Sequence, residues 1–288
     1  MRKIMLMIGS LFILSSCVNM KEWRSSLPED DFLIIGHRGA SAYVPENTLS
    51  SFELAEDLNA DYIELDVHLT KDDEIVVMHD DDVSRTTEAA GKIKDFTLDK
   101  LKELSANRKK GEKIVASGAD HEDIAIPTLS EVFEQMGTEV RYVVELKDTE
   151  QYPDIERKVV DLMKSYDLIG TDQNGFPKAV IHSFDKEALK KVHKLEEKIP
   201  LLQLLSFDEG EEAELSRKEL KEVLQYASGV GVSYKAVTPV FVNTMHDKGL
   251  AVYAYTVNDA EDALKLKSMG VNGIHTNEPD ILGNEKES

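Results

Sequence analysis

Paired carboxylates are the first feature of this sequence that could do chemistry. Glu64 and Asp66 lie two positions apart in one apolar, β-rich run, and Glu145 and Lys147 lie two apart in another. Side chains two apart on a strand share a face. Carboxylates directed together into an apolar interior repel each other unless a cation lies between them. Glu64, Asp66 and Glu145 therefore predict a site for one divalent cation, and their hard oxygens favour Ca²⁺ or Mg²⁺.

Two histidines and an arginine occur at neighbouring run ends. His37 ends the first apolar run, Arg38 follows it, and His79 ends the third run. A cation, Arg38 and Lys147 together suit a phosphate ester, because all three neutralise phosphoryl oxygens. His37 and His79 are then predicted to be general acid and base, in an order that the sequence leaves open. The single Cys excludes a multi-cysteine metal site.

Strand-like runs alternate with helical patterns from residue 32 onward, which is typical of a parallel sheet covered on both faces. Helical patterns include residues 48–59 and 259–270. About 250 residues follow the N-terminal segment, the usual size of one TIM (β/α)8 barrel. The predicted fold class is therefore α/β, with chemistry at the C-terminal ends of the strands. The nine candidate strands are 32–37, 61–69, 74–79, 141–147, 178–184, 201–207, 229–234, 250–257 and 271–276.

Nine candidate strands are one more than an eight-stranded barrel needs. The runs 61–69 and 74–79 are separated by only four residues, Thr70 to Asp73. That gap is too short for a parallel crossover, so it predicts either a hairpin or one strand with an excursion. The charged stretch 80–128 is predicted to be an insertion that lies over one end of the barrel.

The charge of the chain excludes one class of partner. The 288 residues carry 34 Lys and Arg against 55 Asp and Glu, a formal net charge of −21. A nucleic-acid-binding protein needs a basic face to neutralise phosphates, so no nucleic-acid partner is expected. The partner that the site predicts is a small molecule.

The N-terminus has the pattern of an export signal. Two basic residues (2–3) precede a mostly apolar stretch (4–14), which is shorter than the ~20 residues that span a bilayer. Leu14-Ser15-Ser16-Cys17 resembles a bacterial lipoprotein signal, in which the cysteine is acylated and becomes the new N-terminus. An exported protein, anchored to a bacterial membrane through lipid on Cys17, is therefore expected. The predicted parts are a signal peptide (1–16), the lipidated Cys17 with its tether (17–31) and a barrel (32–288).

Several segments together resemble the glycerophosphodiester phosphodiesterase family. They are GHRGASAYVPENT (36–48), YIELDVHLTKDDEIVVMHDDDVSRTT (62–87), VVELK (143–147), IHSFD (181–185), YAYTVN (253–258) and GIHTNEP (273–279). The resemblance runs from about residue 33 to 282 and identifies the chain as a lipoprotein member of this family. It implies a TIM barrel of the type shared with phospholipase C-like enzymes. The implied activity is hydrolysis of glycerophosphodiesters to sn-glycerol 3-phosphate and an alcohol.

The resemblance also assigns roles to individual residues. The family histidines fall on His37 and His79, and the metal ligands on Glu64, Asp66 and Glu145. Arg38 and Lys147 match phosphate-contacting positions. By analogy with related phosphoinositide phospholipases C, a neighbouring substrate hydroxyl attacks phosphorus, a cyclic phosphate forms, and water opens it.

The sequence departs from the family pattern at positions that affect the expected identity of the substrate. The expected metal ligands and acid–base pair are unaffected. Asp73 stands where the family commonly has glycine, and Tyr255 where a substrate-lining tryptophan is frequent. His182 and His275, at later strand ends, are candidates for contact with the glycerol or the leaving group. The alternatives are a lysophospholipase D-like enzyme and a non-catalytic phosphodiester-binding lipoprotein.

Overall fold

The computed structural model describes Leu27 and residues 32–107 and 124–283, so the signal peptide and Cys17 lie outside the described residues. These ranges contain nine strands and eight α-helices. The strands are β1 (Leu33–Gly36), β2 (Tyr62–Leu69), β3 (Ile75–Val77), β4 (Tyr142–Leu146), β5 (Ala179–Ser183), β6 (Leu201–Leu205), β7 (Gly229–Ser233), β8 (Ala251–Tyr255) and β9 (Gly273–Thr276). The helices are α1 (Leu49–Asp57), α2 (Leu98–Lys102), α3 (Leu129–Met136), α4 (Ile155–Ser165), α5 (Lys186–Leu195), α6 (Arg217–Val223), α7 (Pro239–His246) and α8 (Ala260–Ser268).

Eight of the strands close into a parallel barrel. The order is β1-β9-β8-β7-β6-β5-β4-β2, and β1 also pairs with β2. Helices follow most of the barrel strands and pack their apolar faces against the sheet. The predicted TIM barrel is confirmed.

The surplus strand forms a hairpin. β3 pairs antiparallel with the end of β2, with Leu69 opposite Ile75. Asp73 in the turn adopts a left-handed backbone (φ 68°), a conformation that glycine favours and aspartate tolerates. The chain thus turns here with Asp in place of the family's glycine.

The stretch after β3 has its own small core. Short 3₁₀ helices at Val83–Arg85 and Ile93–Asp95 and helix α2 bury side chains against β3. Within the predicted insertion, residues 108–123 lie outside the described part of the chain. Among the described residues, no helix combines the length and apolarity needed to cross a membrane.

Helix α1 fixes the loop that follows β1. Thr48 caps the helix by accepting from the Ser51 N–H, and the Ser51 hydroxyl closes the box on the backbone of Thr48. Phe52 and Ala55 are fully buried under the barrel wall. The loop 37–48 is thereby held at the C-terminal end of β1.

Candidate active site

One pocket of about 220 Å³ opens at the C-terminal ends of the barrel strands. The active sites of TIM-barrel enzymes lie at this end of the barrel, so the pocket is the candidate active site. The lining side chains come from six of the barrel strands or the loops that follow them, and from the loop after β3. They are His37, Arg38, His79, Glu145, Lys147, His182, Phe184, Leu204, Tyr255, Thr256 and His275.

Strand register aligns three polar side chains at one level of the barrel. Asp66 on β2 is the register partner of Glu145 on β4, and Glu145 is the partner of His182 on β5. Directly paired residues on adjacent strands face the same side, so this row points into the barrel. Glu64 lies two residues before Asp66 on the same face and is fully buried.

Glu64, Glu145 and His182 form a group suited to a metal ion. One ligand atom from each lies within 4.8 Å of the others. Glu64 Oε1 and His182 Nε2 face each other at 3.5 Å, and both are buried without a hydrogen-bond partner. Buried polar atoms are almost always paired, so these two atoms are suited to bind one shared ligand. Two carboxylates and an imidazole make a donor set for a divalent cation.

The electrostatics of this group also favour a cation. Burial and the neighbouring Asp66 carboxylate raise the pKa of Glu64 to about 7. The same two causes raise the pKa of Glu145. Burial lowers the pKa of His182, which keeps its imidazole neutral. The group therefore holds carboxyls that resist ionisation until positive charge arrives, beside a neutral nitrogen ligand.

Asp66, the third carboxylate predicted as a ligand, lies beside this group among cationic side chains. Its Oδ2 accepts a hydrogen bond from the Asn47 amide at 2.9 Å and lies 3.6 Å from Arg38 Nε. Its Oδ1 has no hydrogen-bond partner and lies 3.6 Å from Lys147 Nζ. Burial opposes its ionisation, but Lys147 and Arg38 hold the pKa of Asp66 well below its usual range. Asp66 is thus an anion shared by both cations, each of which also has a closer carboxylate partner.

Arg38 is placed by its backbone as well as its side chain. It adopts a left-handed conformation (φ 58°) and donates its N–H to Glu64 Oε2 at 2.8 Å. Its guanidinium donates to Glu46 at 2.8 Å. Such a backbone is costly for a side chain other than glycine and occurs where the surroundings impose it. Lys147 lies opposite and donates to Glu145 at 2.9 Å.

His37 is a neutral base in this arrangement. Its Nδ1 lies 2.8 Å from the Asn277 amide oxygen. An amide oxygen only accepts, so Nδ1 carries the proton and Nε2 keeps its lone pair. Burial lowers the pKa of His37 and so maintains the neutral form.

His79 has a different partner. Its Nδ1 donates to the carboxylate of Asp80 at 2.6 Å, and its Nε2 lies 3.3 Å from Lys147 Nζ. The buried His68 fixes the backbone of the same residue, because its Nε2 donates to the His79 carbonyl at 3.1 Å. A carboxylate bonded to one ring nitrogen fixes the orientation of the ring and therefore the direction of the other nitrogen.

Two further histidines complete the pocket. His182 stacks on His275, with ring centroids 5.3 Å apart and an interplanar angle of 9°. His275 meets His37 edge to face at 6.5 Å. Burial, followed by the two neighbouring histidines, places the pKa of His275 well below its usual value. Its Nε2 also lacks a hydrogen-bond partner.

The opposite wall of the pocket is apolar. Tyr255 lines it, as expected, but its hydroxyl donates to the Leu205 carbonyl at 2.6 Å. The ring is therefore what Tyr255 presents, and Phe184 packs edge to face against it at 6.1 Å. Phe184 and Leu204 were not among the predicted site residues. The signal that could have identified Phe184 is its place directly after a strand end, beside Ser183 and His182.

Comparison with known proteins identifies a matching family model and several relatives. The model of the Glycerophosphoryl diester phosphodiesterase family matches residues 37–281. The glycerophosphodiester phosphodiesterase of Bacillus subtilis (strain 168) is 36% identical over 278 residues, 96% of this chain and 94% of the relative. That of Caldanaerobacter subterraneus subsp. tengcongensis is 37% identical over 256 residues, 88% of this chain and 96% of the relative. The structure of an Oleispira antarctica phosphodiesterase in complex with the product sn-glycerol-3-phosphate has a TM-score of 0.76 at 28% identity, covering 89% and 97% of the two chains.

Proposed function

Because this chain belongs to the glycerophosphoryl diester phosphodiesterase family, we propose that it hydrolyses glycerophosphodiesters to sn-glycerol 3-phosphate and an alcohol in a metal-dependent reaction. The class of the enzyme, glycerophosphodiester phosphodiesterase, is that of its relatives. One observation carries the finer proposal. Arg38, His182 and His275 carry unpartnered buried atoms and line a pocket that His37 and His79 also line. Glu64 and Asp66, whose unpartnered atoms face His182 and Lys147, lie beneath it. The product in the Oleispira antarctica structure supports the same reaction.

A single divalent cation, Ca²⁺ or Mg²⁺, is the proposed cofactor. Glu64, Glu145 and His182 would hold it. Asp66, which the sequence predicts as a ligand beside Glu64 and Glu145, has an unpartnered Oδ1 available for the same cation. When bound, the cation supplies positive charge that polarises the phosphoryl group. Arg38 and Lys147 add fixed positive charge on the same side of the pocket and bind the phosphoryl oxygens.

The environment of His37 supports one order for the first proton transfers. His37, neutral with a free Nε2, accepts the proton of the substrate hydroxyl that attacks phosphorus. The bond from phosphorus to the leaving oxygen breaks. His79 enters this step protonated on both ring nitrogens, and it gives that oxygen the proton of Nε2. Asp80 holds the His79 ring in place during this step. The products of the first step are a cyclic phosphate and the free alcohol.

Hydrolysis of the cyclic phosphate reverses the roles. His79 accepts a proton from water as its oxygen attacks phosphorus, and His37 returns a proton to the departing glycerol hydroxyl. The sum of both steps consumes one water and leaves each histidine as it began. Two residues that exchange acid and base roles are unnecessary in a protein that only binds, so the binding-lipoprotein alternative loses its support.

Product release tests the proposal. Purified protein is incubated with glycerophosphocholine, glycerophosphoethanolamine and lysophosphatidylcholine. The products, sn-glycerol 3-phosphate from the first two and lysophosphatidic acid from the third, are measured with and without EDTA. We expect release from the first two substrates, abolished by EDTA and restored by Ca²⁺ or Mg²⁺. Full activity in EDTA would contradict metal dependence. A preference for the lysolipid would favour the lysophospholipase D-like alternative.

We also propose export and anchoring through a lipid on Cys17. The supporting observation is the sequence Leu14-Ser15-Ser16-Cys17 after a basic and apolar start. Labelling of cells with a radioactive fatty acid should mark the protein, and Cys17→Ala should abolish the label. Labelling of the Cys17→Ala variant would contradict the anchor.

A further inference from the structure

Arg85 bridges two carboxylates at the rim of the site. It ends the 3₁₀ helix Val83–Arg85, and its guanidinium donates four hydrogen bonds. Two reach the oxygens of Asp80, at 2.7 and 3.2 Å. Two reach the oxygens of Glu46, at 2.8 and 2.7 Å. Bidentate arginine–carboxylate pairs fix geometry as well as charge, and Arg85 makes two of them at once.

Each carboxylate holds a residue of the proposed machinery. Asp80 accepts from His79 Nδ1 at 2.6 Å, and Glu46 accepts from Arg38 at 2.8 Å. A continuous series of contacts therefore runs from His79 through Asp80, Arg85 and Glu46 to Arg38. It joins the residue that transfers protons to the residue that binds phosphate.

Arg85 is the central member of this series. Its neighbours Asp80 and Glu46 are both anions, and they converge on the same guanidinium from loops after β3 and β1. The Glu46 side chain is only 9% exposed, so its charge needs partners. Burial would raise the pKa of Glu46, but Arg85 and Arg38 lower it to about 2. Without Arg85, the Glu46 carboxylate would keep only Arg38 as a cationic partner. The Asp80 carboxylate would lose the guanidinium that orients it.

We propose that Arg85 is a positioning residue that sets His79 through Asp80 and Arg38 through Glu46. This inference rests on the proposed function of His79 and Arg38. Arg85 is not among the pocket-lining residues, so it acts through its two carboxylates. Misplacing both of their targets slows proton transfer and weakens binding of the phosphodiester.

Double-mutant cycles test separately the contact of Arg85 with Asp80, which positions His79, and its contact with Glu46, which positions Arg38. Arg85→Ala should lower kcat by about 10- to 100-fold, because small misplacements of reacting groups carry costs of that order. It should also raise KM. In the Asp80→Asn background, adding Arg85→Ala should change kcat by less than about 3-fold, because that route is already broken. In the Glu46→Gln background, the effect of Arg85→Ala on KM should likewise be smaller than its effect in the wild type.

A matched control separates positioning from folding. Arg141 makes a similar pair with Asp172 (2.8 Å) at the opposite end of the barrel, before β4. Arg141→Ala should alter the melting temperature but neither kcat nor KM. Arg85→Lys keeps the charge and the fold but cannot hold both carboxylates, so it should lose kcat at an unchanged melting temperature.

Two outcomes would overturn the inference. One is additive loss of kcat in the Arg85 and Asp80 cycle, and the other is unchanged kcat and KM in folded Arg85→Ala. Both require an active wild-type protein, with release of sn-glycerol 3-phosphate from glycerophosphocholine as the readout. Inactivity of the wild type would instead contradict the proposed function, so the two failures are distinguishable.

Discussion

The imidazole of His182 faces the carboxylate of Glu64 across 3.5 Å, and neither facing atom has a hydrogen-bond partner. The two residues come from strands that are not adjacent, since β4 lies between β2 and β5. Glu145 on that intervening strand completes the group. A cation placed among the three would satisfy atoms that the protein itself leaves unpaired.

His182→Ala is expected to weaken binding of Mg²⁺ and Mn²⁺ by at least about 10- to 100-fold, because loss of even a residue that only supports a metal ligand has a cost of that order. Calorimetric titration measures the affinity, and pulsed electron paramagnetic resonance of bound Mn²⁺ reports nitrogen coupling in the wild type. His246→Ala is the control, since His246 bonds to Asn272 on the outer layer of the barrel. Nitrogen coupling that survives in His182→Ala would exclude His182 as a ligand.

Asp66→Asn tests the carboxylate that the sequence predicts as a ligand. Loss of its charge removes an anion that Arg38 and Lys147 share, so KM should rise by about 10-fold or more. If Asp66 also binds the cation, the affinity for metal will fall as well. Unchanged metal affinity in the same titration would restrict Asp66 to its role as counter-ion.

His37→Ala and His79→Ala should each lower kcat by about 10²- to 10⁴-fold, the usual contribution of a general acid or base. Their melting temperatures should stay close to that of the wild type, because both side chains line the pocket. His193→Ala on helix α5 is the matched control. Full turnover by either site variant would refute the assignment of that histidine.

Substitution at Tyr255 should separate its ring from its hydroxyl. Tyr255→Phe loses the bond to the Leu205 carbonyl and should cost about 1 kcal/mol of stability, with KM nearly unchanged. Tyr255→Ala removes the apolar wall and should raise KM. Denaturant unfolding and steady-state kinetics measure the two effects. A large rise in KM for Tyr255→Phe would mean that the hydroxyl contacts substrate.

The stability of the metal-free protein should depend on pH through Glu64. Its pKa is about 7 in the folded protein against an ordinary value of 4.5, so between these values the folded state holds a proton that the unfolded chain releases. This contribution is complete below pH 4.5 and is lost as pH rises through 7. Buried histidines with lowered pKa values contribute the opposite slope in both proteins. The slope of melting temperature against pH in EDTA should therefore be more negative in the wild type than in Glu64→Gln. Equal slopes in both proteins would contradict the prediction.

Gly39→Ala should destabilise the loop that carries Arg38. Gly39 has φ +81°, and an added Cβ would lie 2.5 Å from the carbonyl carbon of Ser51. Strain and overlap together should cost about 3 kcal/mol or more. Gly210→Ala is the control, because Gly210 has a similar φ of +87° with open space around it and should lose about 1 kcal/mol. Equal losses would show that overlap with Ser51 is relieved.

Local patterns in the sequence determined the fold and much of what faces the pocket. Alternation of apolar runs with helical patterns predicted the barrel, and the two-residue spacing predicted that Glu64 and Asp66 share a face. These inferences succeed because strand and helix periods depend on nearby residues alone. The same spacing could not decide between a hairpin and an excursion at Thr70–Asp73. Pairing of β3 along β2 decided it.

Tertiary structure decided several contacts between distant residues that the sequence did not predict. Glu145 and His182 became neighbours only through the register of β4 against β5, and Arg85 reached Glu46 across 39 positions of sequence. A strand's period fixes the face of a side chain, whereas barrel closure fixes which strand lies beside it. Sequence thus determined the residue types available for chemistry, and closure of the barrel determined their partners, because contacts between distant segments form only when the whole sheet is assembled.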